Sequence, residues 1–211
     1  MSKNYPLQEL NEDEINVKIL LNGLTGGHSG AEIHKGLGNS NKILFELIQK
    51  LNSDFDVKIC SIDGGGLRNA IPRESSAIIS FDENNLNSFK KIMKNTSQTL
   101  VAEFKETDDN INLEFELLEN RFQTLGAIES KELINAINEC PNGVFEMSEN
   151  IDGLVETSNN LANISLIEGK LKIQCLTRSS SENSKDKLSK IISNIFETVS
   201  YTHLRAHETR F

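Results

Sequence analysis

The sequence predicts an α+β fold built on a ferredoxin-like β-α-β-β-α-β unit, a four-stranded antiparallel sheet with two helices on one face. Three observations carry this. Four short runs have strand-like apolar patterns. Two longer stretches with helical apolar spacing separate the first run from the second and the third from the fourth. Glycine-rich segments follow the first two runs.

The elements follow in order. Ile15, Val17, Ile19 and Leu21 alternate with polar neighbours and predict the first strand, which Gly23 to Gly30 ends as a glycine-rich turn. Ile33, Leu37, Leu44, Leu47, Ile48 and Leu51 recur at helical spacing, so one helix is expected from Ile33 onward, weakened but not broken at Ser40 and Asn41. Phe55, Val57 and Ile59 alternate again before Gly64-Gly65-Gly66. Ala77 to Phe81 reads as a more buried strand. Leu86, Phe89, Ile92, Met93, Leu100, Val101 and Phe104 line a second helix, and Ile111, Leu113, Phe115 and Leu117 give the cleanest alternation in the chain. These elements define an expected domain over residues 13–120.

Residues 121–150 read as a connecting segment with a short helix from Ser130 to Glu139, its inner face Leu133, Ile134 and Ile137, ended by Pro141-Asn142-Gly143. Residues 151–199 begin a second unit. Leu161, Ile164 and Leu166 are separated from Leu171, Ile173 and Cys175 by the hairpin signal Glu168-Gly169, and a helix follows through Leu188, Ile191, Ile192, Ile195 and Val199. A hairpin and one helix cannot bury their own apolar faces, so an exposed hairpin prone to self-association is expected. Residues 200–211 differ in composition and resemble a translated read-through tail, with His203 and His207 at i, i+4.

The 211 residues carry a net charge of −9, with 22 basic against 31 acidic side chains. This argues against a nucleic-acid partner, which requires a basic face. No apolar run approaches the roughly 20 residues that span a bilayer, and Met1-Ser2-Lys3-Asn4-Tyr5 lacks the apolar stretch of a signal peptide. Cys60, Cys140 and Cys175 are odd in number and far apart in sequence. They read as buried thiols of a reducing compartment, and a cytoplasmic protein without membrane contact is expected.

The glycine-rich segment Leu24-Thr25-Gly26-Gly27-His28-Ser29-Gly30 admits several readings. A turn between strand and helix can hold an anion on free N–H groups, but the Gly-Lys-Ser or Gly-Lys-Thr ending of a phosphate loop is absent. His28, Glu32 and His34 are possible metal ligands, yet helical offsets put His34 on a different face from the other two. The plainest reading is a tight turn bearing a surface histidine. In Gly64-Gly65-Gly66-Leu67-Arg68-Asn69-Ala70-Ile71-Pro72-Arg73-Glu74, the Asn69 amide can both donate and accept, while Arg68 and Arg73 can grip a carboxylate; otherwise the loop is a mobile turn that Pro72 restarts. Glu156-Thr157-Ser158-Asn159-Asn160 and Arg178-Ser179-Ser180 read as turn chemistry at the ends of the hairpin.

With Glu32, Ile33 and His34 after the first segment, and Gly153-Leu154-Val155 leading into Glu156–Leu161, these stretches together resemble the lid domain of the aminoacyl-histidine (cytosol non-specific) dipeptidases, a branch of a two-zinc exopeptidase superfamily. The resemblance runs from about Val17 to about Phe196. It implies a lid and dimerisation domain over 13–120 and part of a metallopeptidase catalytic domain over 151–199. It implies a parent that is a cytosolic homodimer hydrolysing dipeptides of the Xaa-His type. In such a parent His28 would act in the neighbouring subunit's catalytic centre on the scissile carbonyl oxygen. Asn69, Arg68, Arg178 and Ser180 would hold substrate. The parent would carry two zinc ions, but the chain has no His-x-Asp and no Glu-Glu pair. A fragment that binds no zinc and is inactive alone is therefore expected. Two rivals belong to other classes: a non-catalytic ferredoxin-like interaction module, and a small-anion-binding regulatory domain using Gly26–Gly30.

Overall fold

The structure is a computed structural model and describes residues 1–197. Its strands are β1 (Ser2–Asn4), β2 (Glu14–Asn22), β3 (Gly27–His28), β4 (Lys58–Gly64), β5 (Ala70–Ile71), β6 (Ser75–Asp82), β7 (Asn112–Leu118), β8 (Gly143–Met147), β9 (Val155–Ile167) and β10 (Lys170–Ser179). Its α-helices are α1 (Ser40–Asp54), α2 (Leu86–Glu103), α3 (Ala127–Glu139) and α4 (Glu182–Glu197). The tail expected at 200–211, with His203 and His207, lies outside the described residues.

Strands β4, β6, β2 and β7 neighbour one another in that order, all antiparallel, which is the expected four-stranded ferredoxin-like sheet. The register explains which face is covered. Ile19 pairs with Ala77, Ala77 with Ile62, and Ile62 with Leu166, and all four are at most 1% exposed. One residue further along, Leu20, Ser76, Asp63 and Ser165 form the adjacent row on the opposite face, and none of them is fully buried. The helices lie in the order α2, α1, α3, α4, following the strands they contact from β7 across to β10. A relay of rings, Phe55–Phe81–Phe89–Phe115 with centroids 5.0 to 5.1 Å apart, links β6 and β7 to α2.

The hairpin is not an orphan. β9 pairs with β4 through Ile62–Leu166, Asp63–Ser165 and Gly64–Ile164, so β9 and β10 extend the same sheet. Leu161, Ile164, Leu166, Leu171 and Ile173 are buried in the common core, and the short β1 covers the outer edge of β10. The expected exposed hairpin face is thereby corrected: four-stranded sheet and hairpin solve each other's burial problem. No break in the sheet falls at residue 150. The turn Glu168-Gly169 has positive φ at both positions, as a two-residue hairpin requires.

The first helix also differs from expectation. Ile33–Lys35 is a single 3₁₀ turn, and α1 begins only at Ser40. The Asn39 side chain accepts hydrogen bonds from the Asn41 and Lys42 N–H groups, so the polar stretch that looked like a weak middle is an N-cap. The residues freed from helix, up to Asn39, lengthen the loop that carries His28.

Candidate functional site

Two glycine segments distant in sequence are brought edge to edge. β3 pairs with β5, Gly27 opposite Ile71 and His28 opposite Ala70, and the Ser29 N–H donates to the Asn69 carbonyl at 2.9 Å. Each loop is held from beneath by buried polar side chains. Asp108, fully buried, accepts from the Thr25 N–H at 2.7 Å and the Gly38 N–H at 2.9 Å, gripping both ends of the His28 loop. Asn160, also fully buried, donates to the carbonyls of Ala70 (2.7 Å) and Arg68 (3.4 Å). Asn163 donates to the carbonyls of Gly64 and Gly65 at 3.1 and 2.9 Å. Gly65 has a φ of 74°, and a Cβ there would run into the Ala162 carbonyl, so this close approach requires glycine.

The orientation of His28 follows from the turn around it. Its backbone N–H donates to Glu32 Oε2 at 2.8 Å, and its carbonyl accepts from the Glu32 N–H at 2.9 Å. Its ring Nδ1 accepts from the backbone N–H groups of Ala31 (3.0 Å) and Gly30 (3.2 Å). A proton on Nδ1 would face two N–H donors, so the ring proton belongs on Nε2. The half-buried imidazole is thus a fixed donor with its Nε2–H turned away from the turn. Glu32 is fixed in turn: Lys35 Nζ lies 2.8 Å from Oε1, and this contact, with the His28 N–H, holds the carboxyl below its ordinary pKa.

His28 and Asn69 line one cavity of about 780 Å³, together with Arg73, Glu74, Asp63 and Leu20. Leu20 and Asp63 belong to the sheet row opposite the helices, so the cavity sits on the helix-free face under the two loops. Asn69 is exposed at its rim. Arg178, on β10, meets His28 over Gly30: a Cβ there would lie 3.1 Å from His28 Cε1 and 3.2 Å from Arg178 Cζ. Arg68 is exposed and outside the cavity lining, and its carbonyl accepts from Asn160. Ser180 is exposed just past β10, its N–H donating to the Glu156 carbonyl. The geometry therefore unites His28, Asn69 and Arg73, sets Arg178 beside them, and leaves Arg68 and Ser180 apart.

Sequence reasoning missed Asp108 and Asn163 and read Asn160 as turn chemistry, whereas all three position the loops. The stretch 156–160, read as a turn, is the start of strand β9, and Thr157, Ser158, Asn159 and Asn160 are all buried. Among the described residues no group of three or more His, Cys, Asp or Glu side chains could hold a metal ion. Glu32 is engaged by Lys35 and its own turn, and His34 is exposed. These residues do not fit a two-zinc centre.

Residues 19–108 match the family model of the peptidase dimerisation domain. The cytosol non-specific dipeptidase of Escherichia coli (strain K12) is 36% identical over 169 residues, which is 80% of this chain and 35% of that protein. The aminoacylhistidine dipeptidase of Vibrio alginolyticus has a crystal structure that superposes with a TM-score of 0.89 at 30% identity, covering 94% of this chain and 41% of that one. The chain thus spans well under half the length of the relatives it matches. Its relatives are dipeptidases, which does not favour a self-standing interaction module. The chain's fold follows that of the aminoacylhistidine dipeptidase structure, and its residues 19–108 are the stretch that matches the peptidase dimerisation domain.

Proposed function

We propose that this chain is the lid part of a cytosolic dipeptidase and that His28 donates its Nε2–H to the scissile carbonyl oxygen of a bound dipeptide. The observation that carries this reading is the pair of backbone N–H groups on Nδ1, which leaves the ring one donor, preorganised at the mouth of a cavity. A donor aimed where negative charge develops stabilises the transition state more than the ground state. Asn69 and Arg73 hold the peptide within the cavity, and Arg178 supplies positive charge beside the histidine for a substrate carboxylate. Arg68 and Ser180 have a weaker claim, since neither lines the cavity. The zinc ions that the family resemblance implies belong, in this reading, to parts of the parent outside the described residues. The preference for Xaa-His peptides and the assignment of 151–199 to a catalytic part rest on that resemblance as well.

In a full-length relative carrying this segment, His28→Ala should lower kcat by roughly 10²–10³, the scale of losing one oxyanion donor. KM should change far less, because uniform substrate binding is not what was removed. Loss of bound metal in the variant would make His28 a ligand instead, and an unchanged kcat would reduce the segment to a plain turn.

The proposal includes a homodimer formed through β7. This strand ends the sheet, so its outer hydrogen-bonding edge has no neighbouring strand among the described residues. Phe115 and Leu117 on it are 37% and 46% exposed. A second copy is the occupant that a dimerisation domain calls for. Leu117→Lys should shift the chain from dimer to monomer in light scattering while moving its unfolding midpoint little, as exposed substitutions cost within about 0.5 kcal/mol. A chain that stays dimeric with Leu117→Lys would place the interface elsewhere.

A further inference from the structure

We propose that Cys140 and Cys175 form a redox-active dithiol, which a peroxide closes into an intramolecular disulfide between the end of α3 and β10. The two cysteines, 35 residues apart in the chain, bring their Sγ atoms to 3.8 Å. Cys140 caps α3, its N–H donating to the Ala136 carbonyl, and Cys175 sits where the β9–β10 register shifts, opposite Leu161. Both positions fall at breaks in regular structure, one at a helix end and one at a bulge. Each sulfur can therefore move the remaining distance, about 2 Å to a bonded pair, at low cost to the surrounding hydrogen bonds.

The two sulfurs are not equivalent. Cys140 is buried, whereas Cys175 is half-buried. The hydrogen bond from Cys140, aided by the Asn159 amide, holds the Cys175 thiol below its ordinary pKa. The same contact together with burial raises that of Cys140. Lys42 adds positive charge at this corner, its Nζ donating to the carbonyls of Ile137, Asn138 and Cys140 at 2.6 to 3.0 Å. Cys175 is therefore the attacking sulfur and Cys140 the resolving one. Cys60 is the internal control: it is buried, bonded by Asn16 Nδ2 at 3.2 Å, and its thiol is pushed up to about 12 by desolvation.

The chemistry balances with hydrogen peroxide as oxidant. The Cys175 thiolate attacks one peroxide oxygen, the O–O bond breaks, and the departing hydroxide takes a proton to become water. Cys175 is now a sulfenic acid. The Cys140 sulfur attacks Cys175 Sγ and the S–O bond breaks. A second water leaves with the Cys140 proton. Two thiols and one peroxide give one disulfide and two waters, the sulfurs oxidised and the peroxide reduced.

The test is stepwise oxidation of the reduced 211-residue chain with hydrogen peroxide, then denaturation, alkylation and intact-mass and peptide analysis. The expected product has lost the mass of two hydrogens, joins the Cys140 and Cys175 peptides, and leaves Cys60 alkylated. Trivalent arsenicals, which bridge close dithiols, should bind the reduced chain with one-to-one stoichiometry and fail on Cys140→Ser and on Cys175→Ser. The wild-type measurement needs no variant to fold. A product with sulfinic acid on one cysteine and no link overturns the proposal. So does a disulfide between two chains, equal loss of Cys60, or no reaction at peroxide levels that oxidise a free thiol.

Discussion

In β2 and β6 the side chains beneath the helices are Val17, Ile19, Leu21, Ala77, Ile79 and Phe81, all at most 1% exposed. In the first half of β9 the residues Thr157, Ser158, Asn159 and Asn160 are buried to nearly the same degree, from 0% to 4%. The two regions belong to one sheet and use burial for opposite ends. Apolar burial is non-directional and rewards any tight packing, so it stabilises the whole unit. Buried amides are costly unless each polar atom finds a partner, and their directionality lets them hold particular backbone groups in place. Asn39 shows the second mode: its amide donates to Asn142 Oδ1, Asn160 Oδ1 and the Leu161 carbonyl, while its own oxygen caps α1. The polar region is where the site loops are fastened.

The contrast breaks down if both regions respond alike to substitution. Ile19→Ala should cost about 2–5 kcal/mol, the range for truncating a buried aliphatic side chain. In denaturant melts followed by amide exchange, that loss should appear uniformly across the sheet. Asn160→Ala should cost less, about 1–3 kcal/mol, and act locally. Exchange at the Ser29 N–H and across the Gly27–Ile71 pair should rise before global unfolding, because the Arg68 and Ala70 carbonyls lose their anchor. A uniform loss in both variants would mean the asparagines are ordinary core.

The smallest effect sharpens the contrast at an exposed contact. The folded-state pKa of Glu32 lies below its ordinary value, so its contribution is fully present above the ordinary carboxylate range. That contribution is lost as pH falls through the depressed folded value. The His28 amide resonance should shift over that acidic window, and that acidic step should vanish in Glu32→Gln. The Ser29 N–H, held by a neutral carbonyl, should not follow it.

Much of the apolar region was legible in the sequence, because alternation and helical spacing are local signals. Val17, Ile19, Ala77 and Ile79 fall where their period puts them. β7 kept the period, but as the end strand it leaves Phe115 and Leu117 partly exposed. The start of α1 was misread because Ile33 and Leu37 continue the apolar spacing across a break that only the Asn39 cap reveals. The stretch 156–160 looked like a turn because its partners, Asn39, Ala70 and Pro141, are far away in the chain. His28 and Asn69 were legible as motifs, since glycine segments after strands bring backbone and side chain to a loop tip. Asp108, outside every apolar period and motif, gave no local sign of its role, and neither did the meeting of Cys140 with Cys175.

Asp108 also bears on how such a loop can vary. With one carboxylate clasping the N–H groups of Thr25 and Gly38, the ends of the His28 segment meet at a fixed point outside the segment itself. Closing a flexible loop becomes costlier only slowly with length, by about 0.6 kcal/mol per doubling. The stretch between the clasped residues is therefore a cassette. Its length and tip can drift, changing how far the histidine reaches, while strand order, helix capping and core remain as they were.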